Sequence, residues 1–325
     1  MSVKPPSPLQ VVVYNEIPPP KESVASGTPP KTSDVVESLR SAFSSLKTKF
    51  ISKDGRSVNY QKLKTSAELK NLEKEVQKLV RINLEDLSID DQKALFINLF
   101  NILTIHAISL QPTLPQSIRN ISHFWDRTAY QIGSETYTLN DIEHGILRGN
   151  KPPPTHIELP FGPKDARLKF VMKPDSRIHF ALVWGCKSSP QINIYQGKNL
   201  ESSLEEAMKT FCVQEVCMFT EINEIWLPSL FKWYQKDFGK SDTDAVRNNQ
   251  IICCSELSAP IILTYLPSCT SQSARFITSK GSLLTFTKFT NLPLLNKDNS
   301  ICHAILVKGN EEPCRASVAC FRQNW

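Results

Sequence analysis

Three histidines and one cysteine define the chemistry open to this chain. His106, His144 and His179 each interrupt an apolar stretch, and Cys186 follows the last of them by seven residues. A thiol becomes a useful nucleophile when a nearby imidazole favours its thiolate, so Cys186 with one of these histidines is a candidate hydrolase or transferase pair. Asn98, Asn101 or Glu143 would supply the third group that orients the base. The odd offset between His179 and Cys186 counts against the pair, because an unbroken strand sends the two side chains to opposite faces. The same imidazoles, completed by Glu143 or Asp175, are ligands of the right type for a mononuclear metal. No pair among them has the i, i+4 spacing of a metal-binding helix, so neither metal nor cofactor is expected. The remaining reading is architectural. Asn98, Asn101 and His106 lie in ALFINLFNILTIHAISL (94–110), a helix apolar on every side, and buried amides need partners. Those partners are expected in the segments IEHGILR and RIHFAL, with Arg148 and Arg177 paired to Glu143, Asp141 or Asp175. This polar network of Asn98, Asn101, Arg148, Asp175 and Arg177 is the preferred reading.

The elements that must carry these residues follow from pattern. Ser33 opens a helix with Val35, Val36, Leu39, Phe43, Leu46 and Phe50 at helical spacing, and Ser66 caps a second amphipathic helix. Ser88 and Asp91 have capping-box spacing at the head of the buried helix, which Pro112 and Pro115 end. YQIGSETY (130–137) predicts a hairpin, and DIEHGILR a short helix capped by Asn140. LKFVM (168–172), IHFALVW (178–184) and INIY (192–195) read as strands. Between the last two, Ser188 and Ser189 read as a turn, since no nucleophile elbow surrounds them. Asn199 caps a further helix; VCMF and IWL are short strands, and PSLFKWYQKDFG is a helix opened by Pro228. The aromatics Trp226, Trp233, Tyr234 and Phe238 read as helix-to-sheet packing. The expected class is α+β, a small central β-sheet packed by several helices, with a disordered Pro-rich N-terminus. The expected divisions are a tail at 1–32, leading helices at 33–85, one domain at 86–240 and an unassigned extension at 241–325.

Composition narrows the class further. With 40% hydrophobic and 22% charged residues, the 325-residue chain is ordinary for a soluble globular protein. The net charge of +6 is spread along the chain rather than gathered into a stripe, so nucleic-acid binding is not implied. The N-terminus lacks the apolar run of a signal peptide, and the apolar run at 94–110 is too short and polar to span a bilayer; a cytoplasmic location is expected. The nine cysteines show no CxxC spacing, so reduced thiols are expected.

Taken together and in order, FINLFNILTIHA (96–107), YTLNDIEHGILRG (137–149) and PDSRIHFALVWGCKSSPQINIY (174–195) resemble the core of the family of domains of unknown function numbered 547, DUF547. The resemblance runs from about Lys93 to Gly239. It implies an α+β domain with no established activity. Relatives that join the domain to a leucine zipper, or to glutaredoxin and DEP domains, imply a scaffold or signalling role with a protein partner. This chain departs from relatives with Cys-Gly by carrying Trp184-Gly185, its own thiol standing one step later at Cys186. The expected function is a protein-interaction module; the alternative is a Cys/His hydrolase or transferase near His106, His144, His179 and Cys186.

Overall fold

Val12–Val13, inside the Pro-rich stretch, form strand β1 and pair in parallel with Thr128 and Ala129. The structure is a computed structural model that describes residues 10–16, 30–154, 156–219, 224–239, 273–277 and 283–288. Helix α1 (Thr32–Phe50) turns Val35, Leu39, Ala42, Phe43 and Leu46 inward. Its N-cap is Lys31, without a side-chain bond, and not Ser33, which falls inside the first turn. After α2 (Tyr60–Leu63), α3 (Ala67–Gln77) starts where expected, because the Ser66 hydroxyl accepts from the Leu69 amide. Helix α4 (Ile89–Ser109) is capped by Ser88, which accepts from the Asp91 amide, and is buried continuously from Lys93 to Ser109. A short α5 (Phe124–Arg127) leads into the predicted hairpin, β2 (Thr128–Ile132) and β3 (Glu135–Thr138), with Tyr130 opposite Tyr137. The sheet order is β1-β2-β3. Core side chains from α1, α3, α4, β2 and β3 form one continuous cluster that runs on to Leu204.

Three segments read as strands are something else. Residues 166–170 and 176–180 wind as 3-10 turns, and 192–195 form no strand and pair with none among the described residues. The cause lies just upstream of the two turns, in Asp165-Ala-Arg167 and Asp175-Ser-Arg177. In each, the carboxylate caps the turn by accepting from the amide of the arginine and also binds its guanidinium. Helical starts of this kind outrank a short apolar run. The helix DIEHGILR also differs: Asp141–Leu147 is a π-helix, its wide turn carried by bonds such as Arg148 N–H to Glu143 O at 2.8 Å, and Asn140 holds the N-cap position as expected but without a side-chain bond to the helix. Gly145 makes the turn fit, since a Cβ there would lie 2.3 Å from the Phe161 ring.

The chain divides into two compact units, Met1–Leu204 and Glu205–Trp325, a boundary that falls within the segment expected as one domain. Helix α6 (Leu200–Glu215) carries the chain from one to the other. The second unit holds a four-stranded sheet in the order β4-β5-β6-β7: Cys217–Phe219, Glu224–Trp226, Ser273–Ile277 and Leu283–Lys288. It also contains α7 (Ser229–Trp233), with Pro228 as its N-cap, and α8 (Gln235–Phe238); the rings of Phe231 in α7 and Phe238 in α8 meet at a tilt with centroids 4.8 Å apart. Strands β6 and β7 lie in the stretch for which sequence assigned no fold; the rest of that stretch, and residues 1–9 and 17–29 of the tail, lie outside the described residues.

Candidate functional site

Helix α4 holds its neighbours by side chain. Asn98 donates to the Tyr195 carbonyl at 2.8 Å and accepts from the Tyr195 amide at 2.9 Å. One turn on, Asn101 donates to the Ala181 carbonyl at 2.9 Å and accepts from the Val183 amide at 2.8 Å. A carboxamide carries the same donor and acceptor as a peptide group, so each asparagine stands in for a strand neighbour. At Ala181, Val183 and Tyr195, in two of the segments read as strands, main-chain groups are thus met by side chains of a helix. The expected partner RIHFAL is partly right for Asn101; INIY, which binds Asn98, went unforeseen as a partner.

His106 belongs to a second group, also unforeseen. Its Nδ1 lies 2.7 Å from the Tyr130 hydroxyl, and its Nε2 faces a Glu73 carboxylate oxygen at 3.7 Å. Burial, then the Glu73 charge, push the Tyr130 phenol well up, so it keeps its proton and donates to Nδ1. Nε2 then carries the ring proton towards Glu73, whose carboxyl the imidazole holds below the ordinary range. Glu73 sits among the solvated charges of α3, where sequence gives no sign of a buried partner.

The π-helix supplies the third group. Glu143 accepts from the Trp184 indole at 2.9 Å and stands 3.9 Å from His144 Nδ1. Arg148 donates to that same Nδ1 at 2.7 Å and to the Pro152 carbonyl at 3.0 Å. A guanidinium can only donate, so Nδ1 is spent as an acceptor and is unavailable as a base. Trp184 ties this group to the turn that carries Cys186. There the buried Ser189 hydroxyl accepts from the Trp184 and Cys186 amides at 3.1 and 3.2 Å, and Gly185 takes φ of +79°. Cys186 itself is exposed, with the Ser188 and Ser189 hydroxyls at 3.3 and 3.4 Å from Sγ. The serines are therefore a turn staple, as the sequence suggests.

Asp175 completes the set as a structural group. It binds Arg177 and Lys93, and Arg177 reaches on to Glu201 at 2.8 Å. Burial alone would raise the Asp175 carboxyl, but the bonds from Arg177 and Lys93 outweigh it and hold the group far below the ordinary range. Its counterpart Arg167 was missed from sequence. It pairs with Asp165 at 2.8 Å and Asp141 at 3.0 Å, so Asp141 serves Arg167, and its guanidinium stacks 4.2 Å from the Phe161 ring. The spacing Asp-x-Arg ahead of an apolar run was the available signal.

The structure therefore distributes the expected site residues. His106, His144 and His179 are 0, 4 and 0% exposed, whereas Cys186 lies at the surface. Among the described residues, no three His, Cys, Asp or Glu side chains are grouped to hold a metal ion. No helix among them is long and apolar enough to cross a membrane. No curated protein and no solved structure matches the chain. Residues 84–212 match the model of the family described as "Protein of unknown function, DUF547", and this span holds all three sequence motifs, the buried α4, the π-helix and the Cys186 turn. Residues 84–212 are thus the part of the chain that is assigned to the DUF547 family.

Proposed function

We propose that the chain works as a protein-interaction module in the cytoplasm, built on a rigid domain whose polar groups serve the fold. Burial carries the reading: the three motif histidines are 0, 4 and 0% exposed, and the exposed Cys186 thiol has serine hydroxyls as its bonding partners. Asn98 and Asn101 spend both ends of their amides on main chain, and His144 spends Nδ1 on Arg148. Such a network fixes one packing and leaves the surface free for recognition. The free thiol of Cys186 suits a reducing compartment.

Alkylation of Cys186 by iodoacetamide tests the reading. An unactivated thiol reacts at the rate of the same cysteine in denatured chain, to within about threefold. A rate about tenfold or more above that control, with its pH midpoint moved down, would replace the interaction module by the Cys/His enzyme. One observation favours that second reading: the Trp184 indole joins the Cys186 turn to Glu143, next to His144.

A further inference from the structure

Residues 10–16 are held to the domain in the manner of a bound peptide. Val12 and Val13 add a short parallel strand to β2, and the Tyr14 amide extends the pairing to the Ala129 carbonyl at 2.9 Å. Asn15 is 1% exposed and makes three bonds: it donates to the carbonyls of Val76 at 2.9 Å and Gln131 at 2.8 Å, and accepts from the Gln131 amide at 2.8 Å. Tyr14 sets its ring edge-on against His106, with centroids 5.7 Å apart, and Arg127 holds the Gln10 carbonyl at 2.8 Å. The side chains of Val11 and Val12 remain exposed. Main-chain pairing supplies adhesion and two adjacent side chains supply selectivity, which is the logic of strand addition to a sheet edge. Among the described residues, the side-chain anchor of the segment reaches groups 61 and 116 positions away. On its C-terminal side the sequence continues into Pro18, Pro19 and Pro20.

We infer that the β2 edge, the Val76–Gln131 cradle and the His106 ring form a docking slot for an extended peptide bearing a Tyr-Asn pair, and that residues 10–16 fill it in cis as a displaceable strap. The inference deepens the interaction reading and rests on it only in assigning the slot to a partner peptide. Displacement of the strap uncovers the β2 edge and the His106 face that Tyr14 covers.

A fluorescent peptide of residues 8–17 is titrated by anisotropy against the full chain and against the full chain carrying Tyr14→Ala and Asn15→Ala. A tethered segment competes at an effective concentration of about a millimolar, so the peptide binds the double variant about tenfold or more tighter than it binds the unsubstituted chain. A peptide with the same two alanines loses that binding. Equal binding to both proteins, or none to a double variant that still melts cooperatively, overturns the proposal. If the double variant does not fold, the second arm decides: a protease site placed between Lys21 and Glu22 is cut after folding, and excess peptide is added. Exchange of the cut fragment with the native circular dichroism retained supports the slot. A fragment that does not exchange, or leaves only as the protein unfolds, overturns it, as does a doubled mass showing that a second copy fills the slot. A fast Cys186 thiol would sink the interaction reading and leave the strap intact; a strap that fails to exchange leaves the interaction reading standing.

Discussion

Asn101 shows how much one side chain can hold. Its amide meets the Ala181 carbonyl and the Val183 amide in a region that water does not reach. Leucine of similar size fills the space and leaves both main-chain groups orphaned, so Asn101→Leu costs about 1 to 3 kcal/mol, read as a lower urea midpoint with unchanged slope. His144→Leu releases the Arg148 guanidinium from its acceptor and falls in the same range of about 1 to 3 kcal/mol. If both melt like the unsubstituted chain, the network is not what holds the fold. The need for partners was legible, because asparagine in an all-apolar helix must be satisfied. Their identity was only partly legible, since main chain from any segment offers the same carbonyl. Asp175 adds a pH dependence with a defined sign. Its folded carboxyl titrates below the unfolded one, so its contribution is complete above the ordinary carboxylate range and is lost as the pH falls towards the folded value. Asp175→Asn is therefore less stable near neutrality, by about 2 kcal/mol, and the gap to the unsubstituted chain closes on acidification below about pH 4. A gap that is constant from neutrality down to the acid limit of folding would show that the charge of Asp175 is not what stabilises.

At the scale of elements, the π-helix is the feature that sequence pattern hides most completely. DIEHGILR has the apolar spacing of an ordinary helix, and nothing in it announces the extra residue per turn. What admits the wide turn is Gly145, against which Phe161 packs so closely that no Cβ fits without moving the ring. The ring is not free to move, because Arg167 stacks on it and the Asn150 side chain binds both the amide and the carbonyl of Phe161. Gly145→Ala therefore overpacks this site and costs about 1 to 3 kcal/mol by chemical denaturation. Phe161→Leu in that background restores part of the loss, because the smaller side chain clears the new methyl. An alanine variant as stable as the glycine form would mean that the ring has room to give. The misread strands belong to the same scale. Periodicity reports which side chains are buried and is silent on where the main chain finds its bonds. At Ala181, Val183 and Tyr195 those bonds come from Asn98 and Asn101, so buried main chain is satisfied here without a sheet.

Across the first unit, the region matched to the family is smaller than the body that must fold. The match begins at residue 84, yet the hydrophobic cluster of α4 is continuous with Val35, Leu39, Phe43 and Leu46 of α1, Leu63 of α2, and Leu69, Leu72 and Val76 of α3. The leading helices also contribute polar closure: Glu73 faces His106, and Thr32 bonds the Asp86 carboxylate just before α4. Their amphipathic spacing made them legible as helices packed on a core. Their weight in that core was not, because α4 shows no exposed face from which to judge how much cover it needs. Each buried aliphatic or aromatic side chain contributes about 1.5 to 3 kcal/mol, against a net stability of about 5 to 15 kcal/mol for a domain. Removing residues 1–83 strips α4 of several such contacts at once and uncovers an apolar helix. The shortened chain is therefore expected to lose its cooperative thermal transition and to bind an apolar dye, while a chain lacking only residues 1–9 keeps both the transition and the midpoint. A cooperative melt from the chain beginning at residue 84 would mean that the family domain folds without its leading helices, and that the continuous cluster overstates how far the two depend on each other.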